Sequence, residues 1–137
     1  MCSRILIIED NPANLEMMGY LLKYFGHEVF AATDGEAGLE LAQRIGPEII
    51  ICDIQMPTMD GFEVARRLKA DARLRHIPLL AITALAMVGD RERVLACGFD
   101  GYISKPVEPQ AFAGQLAAFL PSSPPAAPDL PGKHGGH

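Results

Sequence analysis

Short, uninterrupted apolar runs separated by helix-period segments constrain this chain more than any other feature. Ile5-Leu6-Ile7-Ile8 is the first run, bounded by Glu9-Asp10-Asn11-Pro12. A run with no polar alternation suits a strand buried on both faces of a parallel sheet. Asn11 suits a helix cap and Pro12 its first turn. Leu15, Met18, Leu21, Leu22 and Phe25 then recur at helical spacing until Gly26, a common helix terminator. The unit repeats. Glu28 to Ala31 reads as a second strand, with Thr33-Asp34-Gly35 as the turn or cap before a helix carrying Ala37, Leu39, Leu41, Ala42 and Ile45. Gly46-Pro47 stops that helix, and Glu48 to Cys52 is a third strand ending at Asp53. A loop from Ile54 to Asp60 leads to a helix with Phe62, Val64, Ala65 and Leu68. Leu79 to Ile82 is a fourth strand ending at Thr83. A helix over Val88 to Ala96 with Asp90 as a cap, a short strand over Gly101 to Ser104, and a last helix from about Pro109 to Phe119 complete the series.

Five strands alternating with five helices predict an α/β fold, a doubly wound parallel sheet with helices on both faces. At this size the flavodoxin-like (βα)5 arrangement, strand order 2-1-3-4-5, is the natural choice, although periodicity alone does not specify strand order. Residues 1–120 form the expected domain. The remainder, 121–137, is rich in Pro and Gly without apolar periodicity and reads as a disordered tail or linker. With 137 residues, 49% of them hydrophobic, the chain can bury a core without disulfides or metals. A net charge of −5 argues against nucleic-acid binding through a basic surface. Cys2, Cys52 and Cys97 have no metal-binding or redox spacing and read as reduced thiols. The first apolar run is too short for a secretion signal or a membrane span, so a cytoplasmic location is the default expectation.

Doubly wound sheets bind ligands outside the carboxyl ends of their strands. Glu9 and Asp10 follow the first strand there, Asp53 ends the third, Thr83 the fourth, and Lys105 follows the fifth. Three carboxylates on one rim repel one another unless a cation is present, and hard oxygen donors at this density suit Mg2+. Asp10 and Asp53 are expected as direct ligands, Glu9 through a metal-bound water or as an orienting group, and the backbone carbonyl of Gln55 as a further donor. A metal, a carboxylate, a hydroxyl and an ammonium together suit phosphoryl transfer, in which positioning and charge stabilisation dominate. Asp53 is the expected nucleophile, forming an aspartyl phosphate, with Thr83 and Lys105 on the phosphoryl oxygens.

Glu9-Asp10, the stretch Asp53-Ile54-Gln55-Met56-Pro57-Thr58-Met59-Asp60-Gly61, Thr83-Ala84 and Lys105-Pro106, in this order and each at a strand end, resemble a response-regulator receiver domain of the CheY-like superfamily. The match covers about residues 3–120. The segment Ala84 to Asp90 is most similar to single-domain regulators of the DivK type and to receivers attached to hybrid kinases. The resemblance implies that Asp53 takes phosphate from a phosphohistidine on a histidine kinase or phosphotransfer protein. It implies acid-pocket roles for Glu9 and Asp10, switch roles for Thr83, Tyr102 and Lys105, and a cis peptide between Lys105 and Pro106. On such a reading Thr83 moves toward phosphate and Tyr102 turns into the vacated space. The surface of the fourth helix, fifth strand and fifth helix (the α4-β5-α5 face) then changes shape for a protein target, through Leu85, Met87, Tyr102 and Phe112. Gln55 and Leu85 would flank the hydrolytic water, and an apolar Leu85 implies slow self-dephosphorylation.

The expectation is a two-component response regulator and not an enzyme beyond its own phosphorylation and dephosphorylation. Three alternatives stay open. A metal-dependent phosphatase would want a second acid where Gln55 stands and a substrate cap that the chain has no room for. A phosphorylation-independent scaffold would not need the acidic rim. A receiver cut from a larger hybrid kinase or regulator would carry the same residues.

Overall fold

The structure, a computed structural model, describes residues 3–84 and 88–119, and the side chains of all of these but 88–90. Ten elements alternate along the chain. They are β1 (Arg4–Ile8), α1 (Pro12–Tyr24), β2 (Glu28–Ala32), α2 (Gly35–Ile45), β3 (Ile49–Asp53), α3 (Gly61–Ala70), β4 (Leu79–Thr83), α4 (Val88–Ala96), β5 (Gly101–Ser104) and α5 (Pro109–Ala117). All strand pairs are parallel and the sheet order is β2-β1-β3-β4-β5. The expected architecture and strand order are both present. The last helix stops at Ala117, two residues short of its expected end, where Phe119 N–H turns back to Leu116 O.

The apolar runs divide between two cores because successive strand residues face opposite ways. Leu6, Ile8, Ile50, Cys52 and Ala81 face one side, with Ala42 of α2, Val64, Ala65 and Leu68 of α3, and Val94 of α4. Ile5, Ile7, Ile49, Ile51, Leu80, Ile82 and Ile103 face the other, with Met18, Leu21 and Leu22 of α1 and Phe112 and Leu116 of α5. Strands β3 and β4 are buried along their whole length, and β2, at the sheet edge, is the most exposed. This explains why β1, β3 and β4 read as continuous apolar runs.

Side-chain caps set where the helices begin. Asn11 accepts from Asn14 N–H at 3.0 Å, Asp34 from Ala37 N–H at 2.8 Å, Asp60 from Glu63 N–H at 3.0 Å and Glu108 from Ala111 N–H at 3.0 Å. Each satisfies one amide that the helix cannot. Asp90, expected as a cap, lies within the first turn of the fourth helix, which starts at Val88; its side chain lies outside the described ones. The connection from α3 to β4 buries Leu74 and Ile77, which no periodic pattern marks. Cys52 is buried as a small apolar residue, and Cys97 is half-buried. Cys2, Leu120 and the expected tail or linker, 121–137, lie outside the described residues.

Candidate functional site

Register brings the polar residues of the rim together. Ile8 pairs with Cys52, so Glu9, the first residue past β1, and Asp53, the last residue of β3, are neighbours. Asp53 pairs with Ile82 on its other side, one residue before Thr83. Thr83 pairs with Ser104, and Lys105 N–H donates to Thr83 O at 2.9 Å. The peptide between Lys105 and Pro106 is cis, as the resemblance implies. The chain leaves β1 toward β2 and later returns to β1's other side through β3. Glu9 and Asp53 therefore flank the point where the winding reverses, the usual ligand crevice of such sheets.

Most of these side chains are out of water. Glu9 is 1%, Asp53 2% and Thr83 0% exposed, whereas Asp10 is exposed and Lys105 half-buried. Asp53 is held by both oxygens. Gln55 N–H donates to Oδ1 at 3.0 Å and Lys105 Nζ to Oδ2 at 2.9 Å. Lys105 Nζ also lies 3.7 Å from Glu9 Oε2, which accepts from Asn11 N–H at 3.2 Å. Burial and, after it, the Asp53 carboxylate push the Glu9 carboxyl up to about 8. Burial alone would lower the Lys105 ammonium, but its hydrogen bond to Asp53 and the charges of Asp53, Glu9 and Asp10 outweigh that and raise it.

One oxygen from each of Glu9, Asp10 and Asp53 lies within 4.8 Å of the others. Glu9 Oε1 is buried and has no hydrogen-bond partner, an expensive state for a carboxylate oxygen. All donors are hard oxygens. The set therefore fits a small divalent cation that takes few carboxylates and keeps water. Tyr102 sits in β5, half-buried, packed against the core that holds α2, α3 and α4. Phe112 is fully packed in the opposite core and presents no surface of its own. Leu85 and Met87 lie outside the described residues.

Two features of the loop after Asp53 left little trace in periodicity. Gly61 opens α3 with its N–H donating to Ile54 O at 2.8 Å, and a Cβ there would meet Asp53 O at 2.6 Å and Ile54 Cα at 2.7 Å. Met59 N–H donates to Pro57 O at 2.8 Å across Thr58, whose φ is 71°. A β-branched residue at positive φ in so tight a turn is strained. Thr58→Gly is expected to stabilise the fold by about 0.5–1.5 kcal/mol, because relief of strain exceeds the added entropy of the unfolded chain. Urea unfolding measures this, and a lower midpoint in the variant would contradict it.

A parallel sheet that buries one acid between a second acid and an ammonium, at the point where its winding reverses, is the receiver arrangement. Residues 5–117 match the response regulator receiver domain, and the chain belongs to that family, the receivers of two-component signalling. It is 39% identical over 120 residues to the polar-differentiation response regulator DivK of Brucella ovis, covering 88% of this chain and 98% of that protein. The protein of the same name from Brucella anthropi is 40% identical over 116 residues, covering 85% and 94%. Among solved structures, the Vibrio cholerae chemotaxis protein CheY4 superposes with a TM-score of 0.83 at 28% identity, covering 88% of this chain and all (100%) of that one. The receiver domain of a Pseudomonas aeruginosa sensor histidine kinase, whose structure has a magnesium ion coordinated in the active site cleft, gives 0.81 at 31% identity, covering 89% and 100%. Among the described residues no helix is long and apolar enough to cross a membrane.

Proposed function

We propose that Asp53 is the phosphoacceptor of this receiver, taking a phosphoryl group from a phosphohistidine on a histidine kinase or phosphotransfer protein. The single observation that carries the reading is the clamp on Asp53: Gln55 N–H on one carboxylate oxygen and Lys105 Nζ on the other, in a setting almost closed to water. A carboxylate so fixed has little freedom left to lose when an electrophilic phosphorus approaches.

Glu9, Asp10 and Asp53, with the carbonyl of Gln55, are the groups that would hold Mg2+. When bound, the metal supplies positive charge to phosphoryl oxygens as charge spreads over them. The protein's own residues do the rest. Lys105 keeps its proton and offers its ammonium to a second phosphoryl oxygen, and the Thr83 hydroxyl takes a third. Phosphorylation adds nearly two negative charges and three strong acceptors, so both side chains gain a new partner. Thr83 moves toward it and Tyr102 turns into the space, changing the α4-β5-α5 face that a downstream protein reads. The chain acts on its own carboxylate and is not a turnover enzyme. It works in the cytoplasm, where histidine kinases present their phosphohistidine.

The test is labelling with a small acyl-phosphate donor in Mg2+. The native chain is expected to gain a phosphoryl group labile to acid, base and hydroxylamine, as an acyl phosphate is, and Asp53→Asn is expected to gain none. Equal labelling of the variant would overturn the assignment.

A further inference from the structure

Of the six α4 residues whose side chains are described, Arg91 to Ala96, one is buried, Val94. Leu95 is 42% exposed. By contrast α3 buries Gly61, Val64, Ala65 and Leu68. In sequence, only four residues, 84–87, separate Thr83 from the start of α4.

One contact of the described α4 side chains stands out. The Arg93 guanidinium of α4 lies 4.4 Å from the ring centroid of Phe62, in the first turn of α3. Phe62 is packed against the core, so its ring is a fixed platform. It directly follows Gly61, which is pressed against the Asp53 carbonyl. Such a cation–π contact is weak in absolute terms, but it fades once the cation is more than about 6 Å from the centroid. A shift of α4 by roughly 2 Å would therefore release it.

We infer that Arg93 and Phe62 form a latch that holds α4 against α3 in the unphosphorylated arrangement and so sets the threshold of the switch. The inference rests on Asp53 being the phosphoacceptor. A contact made in one arrangement and lost in the other opposes the transition by its full strength, and removing it shifts the balance toward the activated arrangement. By linkage, a ligand that favours the activated arrangement then binds more tightly.

The probe is beryllofluoride with Mg2+, an acyl-phosphate mimic, titrated calorimetrically into the native chain and variants. Arg93→Ala is expected to bind it roughly 2- to 5-fold more tightly, with Arg93→Lys in between. Phe62→Leu is expected to do the same, and the double variant to gain no more than either single one, because both remove one contact. Amide exchange across α4 is expected to quicken in Arg93→Ala by a similar factor. Unchanged or weaker binding by Arg93→Ala, or additive gains in the double variant, would overturn the latch. Arg93 is exposed, so its substitution leaves the core intact. Failure of the native chain to bind the probe would instead overturn the Asp53 reading. Unchanged α4 exchange in Arg93→Ala overturns the latch in either case.

Discussion

In chelator, the protein is expected to lose stability as the pH rises from about 5 to about 8, and Glu9→Gln is expected to abolish most of that loss. The Glu9 carboxyl is raised from its ordinary 4.5 to about 8, by burial first and then by Asp53. The folded chain therefore binds this proton more tightly than the unfolded chain does. The stability it contributes is complete below about pH 4.5 and is lost as the pH rises through about 8. At about 1.4 kcal/mol for each tenfold change in proton affinity, and discounted for solvent screening, the effect is on the order of a few kcal/mol. Lys105 stays charged throughout this window, since its ammonium is held above the ordinary lysine value. Gln at position 9 keeps an oxygen for Asn11 N–H and carries no charge to bury. At pH 8 the variant should therefore unfold at a higher urea concentration than the native chain. Mg2+ should stabilise the native chain, which offers it three carboxylates, and stabilise the variant less. Urea midpoints across the pH range, with chelator and with Mg2+, decide the matter. A flat native profile, or a variant no more stable than the native chain at pH 8, would show that Glu9 does not carry the strain.

Gly61→Ala is expected to reduce phosphoryl uptake on the order of 100-fold while leaving the domain folded. The added methyl would sit 2.6 Å from Asp53 O and 2.7 Å from Ile54 Cα, and both are backbone atoms that no rotamer change can clear. Overpacking of this kind costs about 1–3 kcal/mol. The larger consequence is displacement of Asp53, whose carboxylate oxygens are held by Gln55 N–H and Lys105 Nζ. A misplacement of about 1 Å at a reacting group can cost about 100-fold in rate. The measurement is the rate of labelling by acyl phosphate, set beside a urea melt. Native-like labelling in a folded variant would show that the loop absorbs the methyl without moving Asp53.

Much of the fold was legible because the physics that sets it is local. Ile5 to Ile8 and Leu79 to Ile82 are apolar on both faces, which only a strand between two helical layers tolerates. Asn11, Asp34 and Asp60 precede helices and do cap them. Asp90 has the same chemistry, but the helix starting at Val88 had already taken it in. Leu74 and Ile77 carry no sequence signal of burial because an irregular connection has no period to reveal which residues point inward.

The candidate site divides in the same way. That Glu9, Asp10, Asp53, Thr83 and Lys105 share one rim followed from each standing at a strand end, since every strand of a parallel sheet points the same way. Which of them touch did not follow. Lys105 bridges Asp53 and Glu9 because β5 lies beside β4 and β4 beside β3, a matter of strand order and register. The closeness of Gly61 to Asp53, and of Arg93 to Phe62, depends on how helices seat on the sheet. The sequence by itself determined the elements, their alternation and the residues at their ends, because propensity, capping and burial act within a few residues. Only the tertiary structure decided which charges meet and which side chains of neighbouring helices touch, because those contacts join residues far apart in the chain and depend on the packing of the whole.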